Sequence, residues 1–408
     1  MLKVLQNSWP LLTGVMLLMV GNGMQSTLLG IRGSIEGFST FHLSVVMSAY
    51  FLGFLGGSQL APALIRKVGH VRVFSALGSL ISAILVLYPV APDWIAWAMM
   101  RVVMGFCFSG VYVTAESWLN DTATNETRGQ TLSLYMIVQM VGIIASQALL
   151  TVGTPDGFLL FVIPSVLVSL SFTPILLSAA PAPTFASTKP LSLIRLFVVS
   201  PLGCAGMFLS GGMFAALFGM ASVWGTLVGL TVGQISLFVA SIYMGGLLFQ
   251  YPIGWLSDRM DRRRLIAVLA LFGAFVTFIG VWVDNFTFLL GVAVVGGGII
   301  NPLYSLLIAH TNDFMEPREM AAASGGMIFM NGLGAIAGPL IVGWIMGLVG
   351  PGGFFLYVSM LMLILAAYAG YRMTRRAAPV SGGYTSLVPT ASALAVEAVM
   401  DKKLVDAA

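Results

Sequence analysis

The sequence predicts an all-α membrane protein: twelve transmembrane helices in two parallel six-helix repeats, with both termini cytoplasmic (N-in/C-in). Three observations predict it. First, 58% of the 408 residues are hydrophobic and only 8% are charged, with a mean hydropathy of +0.97. Soluble domains carry about 25% charged residues, so most of this exterior must meet lipid, where only helices and closed barrels satisfy their backbone. Second, the apolar runs are continuous and about twenty residues long, the length of a helical span and not the alternating ten-residue strand of a barrel. Third, the chain resembles itself at a fixed shift of 192 residues.

The spans fall at 8–30, 41–63, 73–91, 94–119, 131–152, 157–178, 201–227, 234–256, 265–283, 286–311, 321–347 and 354–373. Charged or turn-forming residues separate them, as in Leu64–Arg72, Ser257–Arg264 and Gly350–Gly353. Lys3 and the run after it read as span 1 and not as a removed signal, because no small-residue cleavage site follows. The expected organisation is a six-helix half at 1–179, a cytoplasmic linker at 180–200, a second six-helix half at 201–376, and a solvated, disordered tail at 377–408.

Orientation follows from the basic residues. With the N-terminus inside, the inner segments hold 17 of the 19 lysines and arginines; Arg32 alone lies outside and Arg101 lies within span 4. Adding or losing one helix would scramble that partition, so the positive-inside rule supports the count as well as the orientation.

The repeat is specific. The pair Asn-Asp occurs only at Asn120–Asp121 and Asn312–Asp313, which are 192 residues apart, and the same shift pairs Gly53 with Gly245, Gly105 with Gly297, Tyr112 with Tyr304 and Gly142 with Gly334. After span 5 the register slips by four, since Gly157-Phe158-Leu159 matches Gly353-Phe354-Phe355. Parallel halves of this kind are a known transporter plan.

The loop after span 8 reads Gly254-Trp255-Leu256-Ser257-Asp258-Arg259-Met260-Asp261-Arg262-Arg263-Arg264. It resembles the signature loop of the major facilitator superfamily, G-x-L-x-D-R-x-G-R-R. The matching place after span 2 offers Pro62-Ala63-Leu64-Ile65-Arg66-Lys67-Val68-Gly69-His70-Val71-Arg72. The resemblance implies a gating clamp in which an acid at a helix end pairs with arginines, assigning Asp258, Arg259, Arg262 and Arg66. This chain departs from the pattern twice: Asp261 stands where the family has glycine, and Arg66 stands where the first half has its aspartate. Glu116, near the inner end of span 4, is the expected substitute partner for Arg66 or Lys67. Arg101-Val102-Val103-Met104-Gly105 resembles the R-x-x-x-G pattern of proton-coupled members. Gly334, Gly338-Pro339 and Gly343 look like the antiporter motif but lie in span 11 and not in span 5, where Ser146-Gln147 stand instead, so close packing explains them better. Glu116-Ser117-Trp118-Leu119-Asn120 with Arg128-Gly129-Gln130, Tyr135-Met136 and Gln147 resembles the YcaD-like bacterial branch.

Polar groups inside spans mark the candidate site. Arg101 lies seven residues past Trp94, roughly 10 Å into the bilayer at the helical rise. Arg101, Tyr112 and Glu116 share one helical stripe, and a charge at that depth needs a cavity or a partner. Asn22, Gln25, Gln139, Asn301 and Asn331 are amides well inside spans, and the 192 shift maps Gln139 onto Asn331. They suit either hydrogen bonding to a substrate or interhelical glue. Glu116 is the only embedded acid and therefore the candidate proton carrier. His42 and His310 sit near span ends and are expected at the water interface.

No nucleophile elbow, metal-spaced cluster or disulfide framework is present: the two cysteines, Cys107 and Cys204, fall inside apolar runs. The expected protein is thus not an enzyme, has no cofactor, metal or nucleic-acid partner, and is a monomer in the bacterial inner membrane. It moves a small molecule by alternating access, coupled to protons. A transporter-like sensor or scaffold that does not translocate is the alternative. Arg101 and Arg32 hint at an anionic solute, whereas the abundant Met, Phe and Trp would suit an apolar one.

Overall fold

The computed structural model describes residues 2–122, 128–177, 192–315 and 319–375. Among these there are fifteen helices and no strand. They are α1 (Leu2–Ile35), α2 (Thr40–Val68), α3 (His70–Leu87), α4 (Trp94–Thr122), α5 (Arg128–Leu149), α6 (Leu159–Ser171), α7 (Thr173–Leu176) and α8 (Leu193–Val199). Then follow α9 (Pro201–Gly219), α10 (Ala221–Leu227), α11 (Val232–Ser257), α12 (Arg262–Ile279), α13 (Phe286–Asn312), α14 (Met320–Val349) and α15 (Gly353–Arg375). Most of the expected linker, and the whole expected tail at 377–408, lie outside the described residues; the linker's last part forms α8.

The helix starts have local causes. Asp93 accepts from the backbone N–H groups of Ile95 and Ala96 at 3.0 and 2.9 Å. Asn285 does the same for Thr287 and Phe288 at the head of α13. Thr231 and Gln234 form a capping box on α11. Two expected spans are interrupted. Span 6 breaks at Phe172, where Pro174, in the first turn of α7, cannot donate back along the helix. Span 7 breaks at Met220, between α9 and α10.

Among the described residues eleven helical stretches are long and apolar enough to cross a membrane, ten of them single helices and one, Leu159–Leu176, made of α6 and α7. The other long helix, α12, has 18 residues and starts on Arg262, Arg263 and Arg264. Beyond those arginines it exposes Val268, Leu271, Phe272 and Phe275 along one face, each at least half exposed. An apolar face of that size calls for lipid or a partner and not for water.

The chain divides into two compact units, residues 2–38 with 49–177, and 39–48 with 192–375. In the first, α1 packs on α5 and α6, and α3 packs on α4 and α6. In the second, α9 packs on α14, α11 on α13, and α12 on α15. Equivalent glycines permit equivalent approaches within each. A Cβ on Gly53 would collide with the Val102 carbonyl and one on Gly245 with the Val294 carbonyl. Gly105 lies likewise against the Tyr50 carbonyl, and Gly297 against that of Ile242. Both members of each pair are related by the 192 shift. These backbone contacts admit no side chain.

Gly105→Ala is expected to lower the melting midpoint of the purified protein, because the colliding atom is backbone; the overpacking cost is about 1–3 kcal/mol. Gly56→Ala, with nothing within 4 Å of the added carbon, should leave the midpoint unchanged.

Candidate functional site

The first unit gathers polar groups around Arg101. Its guanidinium, 2% exposed on α4, donates from Nη1 to Gln25 Oε1 on α1 at 2.8 Å and lies over the Tyr50 ring of α2, 4.6 Å from the centroid. Gln25 Nε2 donates to Asn22 Oδ1 at 3.2 Å, the Tyr50 hydroxyl reaches the same oxygen at 3.5 Å, and Asn22 Nδ2 donates to the Tyr112 hydroxyl at 3.0 Å. Phe54 and Phe108 pack against the two tyrosines. Three helices thus bring one guanidinium, two amides and two phenols into a connected network. The close approach of α2 and α4 at Gly53 and Gly105 is what carries Tyr50 to Arg101.

At the positions 192 residues on, the second unit has Phe214 for Asn22, Leu217 for Gln25, Ile242 for Tyr50 and Ala293 for Arg101, all buried. The polar network therefore belongs to one half only.

Tyr50 escaped the sequence reading; its one signal is an aromatic hydroxyl in mid-span three residues before Gly53. Gln139 is buried on α5, and its Nε2 has no hydrogen-bond acceptor among the described residues. Its counterpart Asn331 donates to the Met207 carbonyl at 3.2 Å. Asn301 turns back onto the Gly297 carbonyl of its own helix at 3.1 Å. Gln147, which carries part of the branch resemblance, joins α5 to α1 through Thr27 and the Gly23 carbonyl. Glu116 is fully buried near the Tyr135 phenol, whereas Arg66 is exposed.

Arg32 has a structural occupation. It pairs with Glu36 and donates to the carbonyls of Pro155 and Asp156, tying the end of α1 to the turn before α6. Hydrogen bonds from the Thr154 hydroxyl and nearby backbone N–H groups, with Arg32 close by, hold the Asp156 carboxyl below its ordinary value.

In the charged loop of the second unit, Arg262 is the centre. It is 2% exposed and pairs with Asp313, with Ser257 Oγ at 3.1 Å, the Ala309 carbonyl at 3.3 Å and Asp258 at 3.7 Å around it. Arg259 turns away and stacks on Trp255 at 3.9 Å. Asp313 was legible only as half of the repeated Asn-Asp pair. The residue 192 positions before Arg262 is His70, equally buried, with Nε2 2.9 Å from Ser117 Oγ. Ser117 is in turn the counterpart of Ala309. One half thus ties these helix ends with an arginine and the other with a histidine.

The departure at the family's glycine has a local reason. In the first half the position keeps its glycine, Gly69, at φ +86, where only glycine is comfortable. In the second it is Asp261, at φ −57, which caps α12 by accepting from the Arg263 N–H at 2.9 Å and binds the Arg263 side chain at 2.8 Å. Those bonds from Arg263 hold the Asp261 carboxyl below its ordinary value. His310, expected at the water interface, is instead buried, with its ring 5.1 Å from that of Phe314.

The family model for the Major Facilitator Superfamily matches residues 11–231 and 202–396. The chain belongs to the major facilitator superfamily. It is a multi-pass membrane transporter and not an enzyme. Uncharacterized MFS-type transporters named YcaD, from Salmonella arizonae and Escherichia coli, are each 26% identical over 346 residues, covering 82% of this chain and 88% of theirs. Among solved structures, a mutant form of the nucleoside transporter NupG matches with a TM-score of 0.75 at 15% identity, over 89% of this chain and 99% of that one. A bacterial homolog of the human lysosomal transporter Spinster, inward-facing and occupied, gives 0.69 at 16% identity, over 89% and 96%. A mutant form of the Escherichia coli fucose:proton symporter FucP gives 0.57 at 15% identity, over 90% and 99%.

Asp261→Ala is expected to destabilise the protein at neutral pH by about 1 kcal/mol, the worth of a cap. The native carboxyl is depressed, so its contribution is complete above the unfolded-state value and is lost as pH falls through the folded one. Melting midpoints of wild type and variant should therefore differ at pH 7 and converge below about pH 4.

Proposed function

We propose that the protein is a secondary active transporter that carries a small solute bearing an anionic or strongly accepting group. It works by alternating access across the bacterial inner membrane, as a monomer. In this reading α12 is a twelfth span, the termini are cytoplasmic and the two halves are parallel repeats. The exposed apolar face of α12, the matched glycine contacts and the partition of basic residues support that layout.

The observation that carries the proposal is the network of Arg101, Gln25, Asn22, Tyr50 and Tyr112, set among apolar helices and replaced by apolar residues in the other half at four of the five positions. A guanidinium deep in a span costs about 2.5–3.5 kcal/mol even on the mildest scale. Packing alone would be served by the Ala293 and Ile242 solution that the second half uses. A solute carboxylate or carbonyl would take the place of Gln25 Oε1 on the Arg101 fork, with Asn22 offering an amide donor.

Protons are the proposed coupling ion, with Glu116 as their carrier. Glu116 is buried near Tyr135, to which Tyr112 of the network is also close, and Tyr112 joins Asn22 by a hydrogen bond. Coupling to protons is also named for one protein of the same fold.

The test is flux in liposomes holding the purified protein, with solutes selected by thermal shift. Arg101→Gln should reduce counterflow at least tenfold while leaving the melting midpoint close to wild type, since the glutamine remains polar. Saturable binding with no flux would support the sensor reading instead. Independently, Glu116→Gln should abolish accumulation driven by a pH gradient and leave solute exchange intact. Loss of both, or of neither, would remove Glu116 from the coupling role.

A further inference from the structure

At one end of the second unit lies an open-mouthed pocket of about 250 Å³, the solvent at its mouth included. The beginnings of α9 and α12 and the ends of α13 and α15 surround it, and Arg263, His310 and Arg372 line it together with Ser200 and Phe314. Arg263 and His310 are each more than nine-tenths buried. Among the described residues no carboxylate lines the pocket. Asp261 balances Arg263 from outside, Asp313 is engaged by Arg262, and no acid forms an ion pair with Arg372 among the described residues.

The two guanidinium groups facing one pocket repel each other, and an anion between them relieves that repulsion. The first turn of α9 adds to the same field. Ser200 stands at the N-cap but makes no capping bond, and its hydroxyl lies 3.1 Å from Thr311 Oγ1 instead. Nor does the repeat require the cluster. The 192 shift puts Val71 opposite Arg263 and Trp118 opposite His310, and the slipped register puts Leu176 opposite Arg372. The other half has apolar residues at these three positions.

We propose that this cavity binds a phosphoryl oxyanion, held by Arg263, Arg372 and His310 where α9, α12, α13 and α15 meet. Two guanidinium forks and an imidazole offer several donors, matching a tetrahedral anion with several acceptor oxygens. Helix ends lie at headgroup level, so the oxyanion comes either from an acidic phospholipid or from free phosphate. The inference rests on the membrane placement proposed above but not on the carried solute. It is read by binding without flux, so Arg101→Gln should leave it untouched.

The test is the melting midpoint of the full chain in detergent against inorganic phosphate, with chloride holding ionic strength constant. Phosphate should raise the midpoint saturably and chloride should not. R372Q should weaken the apparent affinity about tenfold or more, the effect of losing one charge-assisted bond. His310→Gln should weaken it in the same direction, and keeps the test available if R372Q does not fold. R375Q, whose exposed arginine lies over Tyr371, should respond as wild type does. Repeating the titration in nanodiscs separates the sources. Loss of the response in phosphatidylglycerol, but not in phosphatidylcholine, assigns the cavity to an acidic headgroup; a response in both assigns it to free phosphate. No saturable response in detergent, or an equal one in R372Q and H310Q, overturns the proposal.

Discussion

A guanidinium in the middle of an apolar helical unit imposes conditions on everything near it. Arg101 cannot be neutralised as a lysine could, so its hydrogen-bonding and charge needs must be met in place. Gln25 supplies an acceptor, the Tyr50 face supplies its quadrupole, and the remaining groups connect those two to each other. The arrangement depends on backbone proximity: Tyr50 reaches Arg101 only because Gly53 and Gly105 let α2 and α4 touch. Scaffold and candidate site are therefore one construction, and the glycines that mark the repeat also place the network that breaks it.

The departures from symmetry carry the chemistry. The glycine contacts recur in both units, whereas the arginine network, the Arg262–Asp313 pair and the basic cavity each belong to one half among the described residues. At the counterparts of Asn22, Gln25, Tyr50, Arg101, Arg263, His310 and Arg372 the chain uses apolar residues and at that of Arg262 His70, while Tyr304 and Asp121 repeat Tyr112 and Asp313. A duplicated scaffold kept its packing contacts, which tolerate no side chain. Its polar groups, whose burial is costly unless used, are held in only one half.

Much of this was legible in the sequence because bilayer physics is coarse. Span length, basic loops and the 192 shift each reflect constraints acting over about twenty residues. Arg101, Gln25 and Asn22 stood out because polar groups are rare at such depth. What could not be read was which helices touch. Tyr50 joins the site through an α2–α4 contact, and Asp313 meets Arg262 across 51 residues of chain. His310 looked interfacial from its distance to the span end, but the ends of α9, α12 and α15 close over it. The breaks at Phe172 and Met220 were hidden because a single helical run and two abutting helices share one hydropathy.

The central claim, that the solute's polar group meets the Arg101 network in the first half, is tested most directly by site-specific protection. A cysteine replaces Asn22 in a chain whose buried Cys107 and Cys204 have been changed to serine, and a second chain carries one at the counterpart, Phe214. Maleimide labelling rates are then measured with and without a solute that supports counterflow. The account predicts that the solute slows labelling at position 22 several times more than at position 214. Equal protection at both, or protection at 214 alone, would contradict it.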